Sequence, residues 1–120
     1  MDNHQCEAII ITCIDYRLQE IVNNWILDHF QPKTFDRVAL AGGVKNLDVI
    51  LSQVDIAVKF HHIQKVILIN HEDCGAYGSE VTAEKHAQDL RSARATIQKQ
   101  YPNLNVEIYY LHLNGTFKPI

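Results

Sequence analysis

The sequence predicts an α/β fold: a mostly parallel sheet of four to five strands with flanking helices. Three observations carry that reading. Four short apolar runs recur along the chain, rich in Ile, Val, Leu and Tyr. The first three are nearly continuous rather than alternating, the pattern of strands buried on both faces of a parallel sheet. Segments with helical spacing separate them, giving the order β-α-β-α-β-α-β, which implies right-handed crossovers.

The first run, EAIIITC (7–13), is β-branched and ends at a thiol. Leu18, Ile21, Val22, Trp25 and Phe30 then fall on one side of a helix covering about 17–30. The second run is RVALA (37–41), followed by AGGVKN (41–46). Leu47, Ile50, Leu51, Val54, Ala57 and Val58 mark a second helix with Asn46 as its N-cap. KVILIN (65–70) is the third strand. A longer helix carries Ala83, Ala87, Leu90, Ile97 and Tyr101, and Pro102 and Asn103 close it. VEIYYLHL (106–113) is the fourth strand. Asn114-Gly115 favours a two-residue hairpin turn, which returns TFKPI as a short antiparallel fifth strand.

With 120 residues, no internal repeat and no linker, residues 1–120 read as a single domain. The apolar fraction of 47% and charged fraction of 21% are ordinary for a soluble globular chain, so a modest core is expected and association into a dimer would enlarge it. A net charge of −3, with basic residues scattered among acids, excludes the basic stripe of a nucleic-acid binder. No apolar run approaches the ~20 residues that span a bilayer. The opening MDNHQCEAIII lacks the charged and apolar regions of a secretory signal. Three cysteines, an odd number, fit a metal or catalytic role in the cytoplasm better than a disulfide framework.

The reactive residues concentrate in three loops that each follow a strand: CIDYR (13–17), AGGVKN (41–46) and HEDCGAYG (71–78). In a parallel sheet all three lie at the carboxyl edge, where open α/β folds bind ligands. Cys13, His71 and Cys74 are soft donors suited to Zn2+. Cys6 sits at the other end of the first strand, roughly 23 Å from Cys13 at ~3.3 Å per residue, so the two share neither a metal nor a disulfide. Cys6 then reads as an edge thiol. The fourth metal position belongs to water or to Asp15, and a position left open to water describes a catalytic zinc. Arg17 can grip Asp15 by two hydrogen bonds and turn it from the metal. Gly42 and Gly43 permit close backbone approach, and their N–H groups could fix a carboxylate or another anion. Gly75 and Gly78 let the chain turn tightly after Cys74. His61, His62, His86 and His112 read as solvated or internally satisfied histidines.

Cys-x-Asp-x-Arg after the first strand, Ala-Gly-Gly after the second and His-x-x-Cys-Gly after the third resemble the β-class carbonic anhydrases, most nearly the small, archaeal-type members. The resemblance covers about residues 8–115. It implies zinc held by Cys13, His71 and Cys74, with Asp15 and Arg17 as a dyad and Asp15 accepting a hydrogen bond from zinc-bound hydroxide. It implies reversible hydration of carbon dioxide to bicarbonate, a dimeric unit, and an apolar wall for which Trp25, Phe30 and Tyr77 are candidates. Tyr16 stands where the family usually has Ser, and Ala39 and Leu40 where many members have Arg-Asn. Two thiolates cancel the metal's formal charge, so activity should climb on the alkaline side. Carbon disulfide or carbonyl sulfide is an alternative substrate for the same site. A non-catalytic zinc protein closed by Asp15 and a metal-free anion module built on AGGVKN are the non-enzymatic readings.

Overall fold

The structure, a computed structural model, describes residues 4–120. Its five-stranded sheet runs β2 (Phe35–Ala39), β1 (Ala8–Thr12), β3 (Lys65–His71), β4 (Asn105–Leu111) and β5 (Phe117–Pro119). The first four strands are mutually parallel and β5 is antiparallel to β4, which is the α/β class the sequence predicts. In the parallel register Ile11 stands opposite both Val38 and Leu68, which brings the carboxyl ends of β1, β2 and β3 side by side.

Strand alternation divides the core in two. Ile9, Ile11, Val66, Leu68, Val106 and Ile108 face α2 (Leu47–His61) and α3 (Ala83–Gln100). Ala8, Ile10, Ile67, Ile69 and Leu111 face α1 (Gln19–His29). Every residue of β1 is buried, and of β3 every residue after Lys65, so both faces must be apolar. Each fully buried aliphatic side chain stabilises the fold by about 1.5–3 kcal/mol.

The helices follow from their spacing. Leu18, Val22, Ile26 and Phe30 recur every fourth residue and point into the sheet. Ile50, Val54 and Ala57 do so on α2, and Ala87, Leu90, Ala93 and Ile97 on α3. Thr82 caps α3, its Oγ1 accepting from the Lys85 N–H at 3.1 Å.

Four local expectations need correction. The first helix begins later than position 17, because the Asp15 carboxylate accepts from the Arg17 N–H at 2.9 Å and winds Tyr16–Leu18 into a 3-10 turn first. Asn46 occupies the N-cap position of α2 but makes no capping bond there; its amide donates to the Ala41 carbonyl at 3.2 Å. Ala83 is exposed, and the inward position beside Ala87 belongs to His86. The β4–β5 hairpin is a three-residue loop: His112 N–H donates to Thr116 O, Gly115 N–H donates to His112 O, and Gly115 alone takes a left-handed φ of 94°. A two-residue type I′ turn would need positive φ at Asn114 as well, and Asn114 instead accepts from the Thr116 N–H through its side chain.

Candidate metal centre

Thr12 ends β1 and delivers Cys13 to the carboxyl edge; His71 is the last residue of β3; Cys74 follows after a short turn. Their donor atoms all lie within 4.8 Å of one another. The two sulfurs are 3.9 Å apart. That is far beyond a disulfide bond of ~2.05 Å. It is close to the ~3.8 Å that two ~2.3 Å zinc–sulfur bonds subtend at a tetrahedral angle. His71 Nδ1 donates to the Glu72 carbonyl at 2.7 Å, which fixes the tautomer and leaves Nε2 as the acceptor. Nε2 is buried beside the Cys13 sulfur and, among the described residues, has no well-formed hydrogen-bond partner. A buried acceptor without a partner costs about 1–3 kcal/mol, and a cation at this point would remove that cost. These donors therefore fit a zinc ion.

The electrostatics agree. Burial pushes the Cys13 thiol up, but the His71 imidazole and the N–H groups of Gly42 and Asp15 outweigh it and bring the thiol down to about 7. Burial raises the Cys74 thiol, and the Cys13 sulfur beside it raises it further. Two adjacent thiolates repel, and a divalent cation is what would let both ionise.

Asp15 and Arg17 sit beside this cluster, and the Asp15 carboxylate is not among the converging donors. Its Oδ2 accepts from Arg17 Nη2 at 2.7 Å and lies 3.9 Å from His71 Nε2. Arg17 Nε donates to both carboxylate oxygens, at 3.1 and 3.3 Å. This grip holds the Asp15 carboxyl down to about 2. The other side of the guanidinium is tied to Asp73, through its carboxylate at 3.0 Å and its carbonyl at 2.9 Å.

The glycines behave differently from the anion cradle expected of them. Gly42 and Gly43 both take left-handed φ, 84° and 53°. The Gly42 N–H donates to Cys13 Sγ at 3.4 Å and the Gly43 N–H to the Leu40 carbonyl, so neither is offered to a free anion. A Cβ on Gly43 would meet Asn70 Oδ1 at 2.6 Å. Gly78 is left-handed within the turn after Cys74, whereas Gly75 is not, and a Cβ there would meet nothing within 4 Å.

Sequence reasoning passed over Asp73 and Asn70. Asp73 had a signal: a guanidinium has two edges, and Asp15 uses only one. Asn70 had one too, a lone amide closing an aliphatic strand. Its Oδ1 accepts from the Val44 N–H at 3.3 Å and its Nδ2 donates to Tyr77 Oη and His86 Nδ1, both at 2.9 Å, joining the second and third loops beneath the site. His86 is fully buried rather than solvated, and burial lowers its pKa to about 4. Tyr77 donates to Asp89 at 2.8 Å and packs in this network. Trp25 stacks on His29 and Phe117 and Phe30 lies in the α1-side core, so both pack the fold. Cys6 stands before β1, at the opposite end of the sheet from the site.

The family model described as "Putative carbonic anhydrase" matches residues 3–120. An uncharacterised protein of Rickettsia bellii is 24% identical over 98% of this chain and 83% of its own length. Among solved structures, a carbonic anhydrase from Streptococcus mutans superposes with a TM-score of 0.70 at 16% identity, covering all of this chain and 85% of that one. A β-carbonic anhydrase from Trichomonas vaginalis gives a TM-score of 0.69 at 15% identity, with 100% and 85% covered.

Proposed function

This chain belongs to the carbonic anhydrase family, and on that premise we propose that it catalyses the zinc-dependent, reversible hydration of carbon dioxide to bicarbonate. One observation supports the reading: two sulfurs and an imidazole converge within 4.8 Å, and the imidazole's inward nitrogen is buried with no hydrogen-bond partner among the described residues. Cys13, His71 and Cys74 would hold the ion. When bound there, zinc would lower the pKa of a coordinated water toward neutrality.

The chain's own residues do the rest. Glu72 holds the His71 tautomer through its carbonyl. The Gly42 N–H draws charge from the Cys13 sulfur. Arg17 keeps Asp15 ionised and turned aside, so the carboxylate does not occupy the fourth position. Asp15 Oδ2, 3.9 Å from His71 Nε2, is placed to accept a hydrogen bond from the attacking water and so to aim its lone pair. Asp73 positions Arg17. Ile14 and Tyr16, 57% and 86% exposed beside this edge, are apolar surface that a second copy of the chain would cover, which favours a homodimer. The three free thiols suit a reducing, cytoplasmic compartment.

The test measures zinc stoichiometry and carbon dioxide hydration on one sample. Wild type should carry zinc at the Cys13 set and hydrate carbon dioxide; Cys74→Ser should lose that zinc and the activity. Zinc-loaded protein inert toward carbon dioxide at every pH would overturn the reading, and carbonyl sulfide hydrolysis by that sample would reassign the substrate. Sedimentation as a monomer at micromolar concentration would remove the dimer.

A further inference from the structure

A second set of metal-ligand side chains lies at the amino edge of the sheet. Cys6 precedes β1, Asp36 is on β2 and His61 is the last residue of α2. Their donor atoms also fall within 4.8 Å of one another, and all three are half-buried. Three elements far apart in sequence meet here, and the backbone already ties two of them: the Cys6 N–H donates to the His61 carbonyl at 3.0 Å. The Cys6 sulfur makes a long, 3.6 Å contact to the Ala8 carbonyl and also interacts with the Asp36 carboxylate, so thiol and carboxylate already share one point. His61 Nδ1 meets Asp36 Oδ2 at 2.6 Å, and the His4 ring stands edge-on to His61 with centroids 5.1 Å apart.

We propose that Cys6, Asp36 and His61 form a second binding site for a divalent, thiophilic cation such as zinc, separate from the site at the carboxyl edge. One thiolate, one imidazole and one carboxylate is a donor set zinc accepts, with solvent completing the tetrahedron. Binding displaces the Cys6 S–H proton to solvent and replaces the His61–Asp36 hydrogen bond with two metal bonds. Tetrahedral zinc sets nitrogen and oxygen ligands roughly 3.3 Å apart, so that pair, now at 2.6 Å, must open by about 0.7 Å. The ion would clip the segment before β1 to the start of β2 and the end of α2. This proposal does not depend on the hydration chemistry.

Cobalt is the probe, because a thiolate ligand gives it a near-ultraviolet charge-transfer absorption. In the Cys13→Ser/Cys74→Ser variant, which lacks the first site's sulfurs, cobalt should still produce that band. Adding Cys6→Ser should abolish it, and His61→Ala should weaken cobalt binding at least tenfold. A folded double variant with no thiolate–cobalt band, or one whose cobalt affinity is unchanged by His61→Ala, overturns the proposal. Should the double variant fail to fold, zinc content of otherwise wild-type protein decides: two ions per chain falling to one in Cys6→Ser supports the second site, and an unchanged count refutes it. Loss of hydration activity with this count intact would sink the functional reading alone.

Discussion

The two ends of the sheet use the same residue types to different effect. At the carboxyl edge Cys13, His71 and Cys74 converge, and His71 Nε2 is buried with no hydrogen-bond partner among the described residues. At the amino edge Cys6 and His61 meet Asp36, but the imidazole already has a carboxylate at 2.6 Å and water within reach. Donor identity is therefore a poor guide to affinity. What separates the two is whether the apo protein leaves a buried polar atom unpaid for: the first set does, and the second gives up a hydrogen bond to bind. The carboxyl-edge site should hold its ion far more tightly, and the amino-edge site should exchange.

The strongest challenge to this contrast is Cys74→Ser. It should weaken zinc binding at the carboxyl edge by more than about 100-fold, read by competition with a chromophoric chelator, and leave the amino-edge ion in place. Equal loss from both ends would break the distinction.

Arg17→Ala comes next. Without the guanidinium, Asp15 is free to swing onto the metal, and kcat/KM for hydration should fall about 10–100-fold while zinc content holds or rises. Full activity would show that Asp15 needs no restraint. Amino-edge residues offer no parallel, so Asp36→Asn should leave hydration within about twofold.

Gly43→Ala probes the scaffold beneath the first site. The added methyl meets Asn70 Oδ1 at 2.6 Å on a backbone with φ of 53°. Destabilisation of about 2 kcal/mol is expected in urea unfolding, from strain and a displaced buried amide.

The smallest effect is in acid. Asp15 is depressed in the fold to about 2 from an ordinary 3.8, through Arg17. A depressed carboxyl stabilises the fold above its unfolded pKa, and that stability is lost as pH falls from about 4 toward 2. After solvent screening this amounts to about 1 kcal/mol. The stability gap between wild type and Asp15→Asn should narrow by that much across this range; a constant gap would remove the ion pair's contribution.

Much of this was legible in the sequence because period and position carry it. Near-continuous runs such as IIIT and VILIN can be buried only in a parallel sheet's middle, and a parallel sheet sends every strand-end loop to one edge. That is enough to place Cys13, His71 and Cys74 together. Side-chain partnerships were less legible, because they depend on distances between loops. Asp73 reaching back to Arg17, and Asn70 bracing Val44 against His86, have no spacing signature. Cys6 reads as an edge thiol in the sequence for the same reason: the return of α2 places His61 beside it, and no local pattern announces that. At the hairpin the sequence is ambiguous, because Asn-Gly fits both a two-residue turn and the last two positions of a three-residue one.

Arg17 bridges loops that leave different strands, with Asp15 on one side and Asp73 on the other, and Asp73 itself lies between two of the converging donors in sequence. The orientation of the carboxylate is thereby geared to the same short turn that delivers Cys74. Motion in that turn cannot release the sulfur without also slackening the carboxylate, so capture of the ion and alignment of the attacking water should rise and fall as one event rather than two.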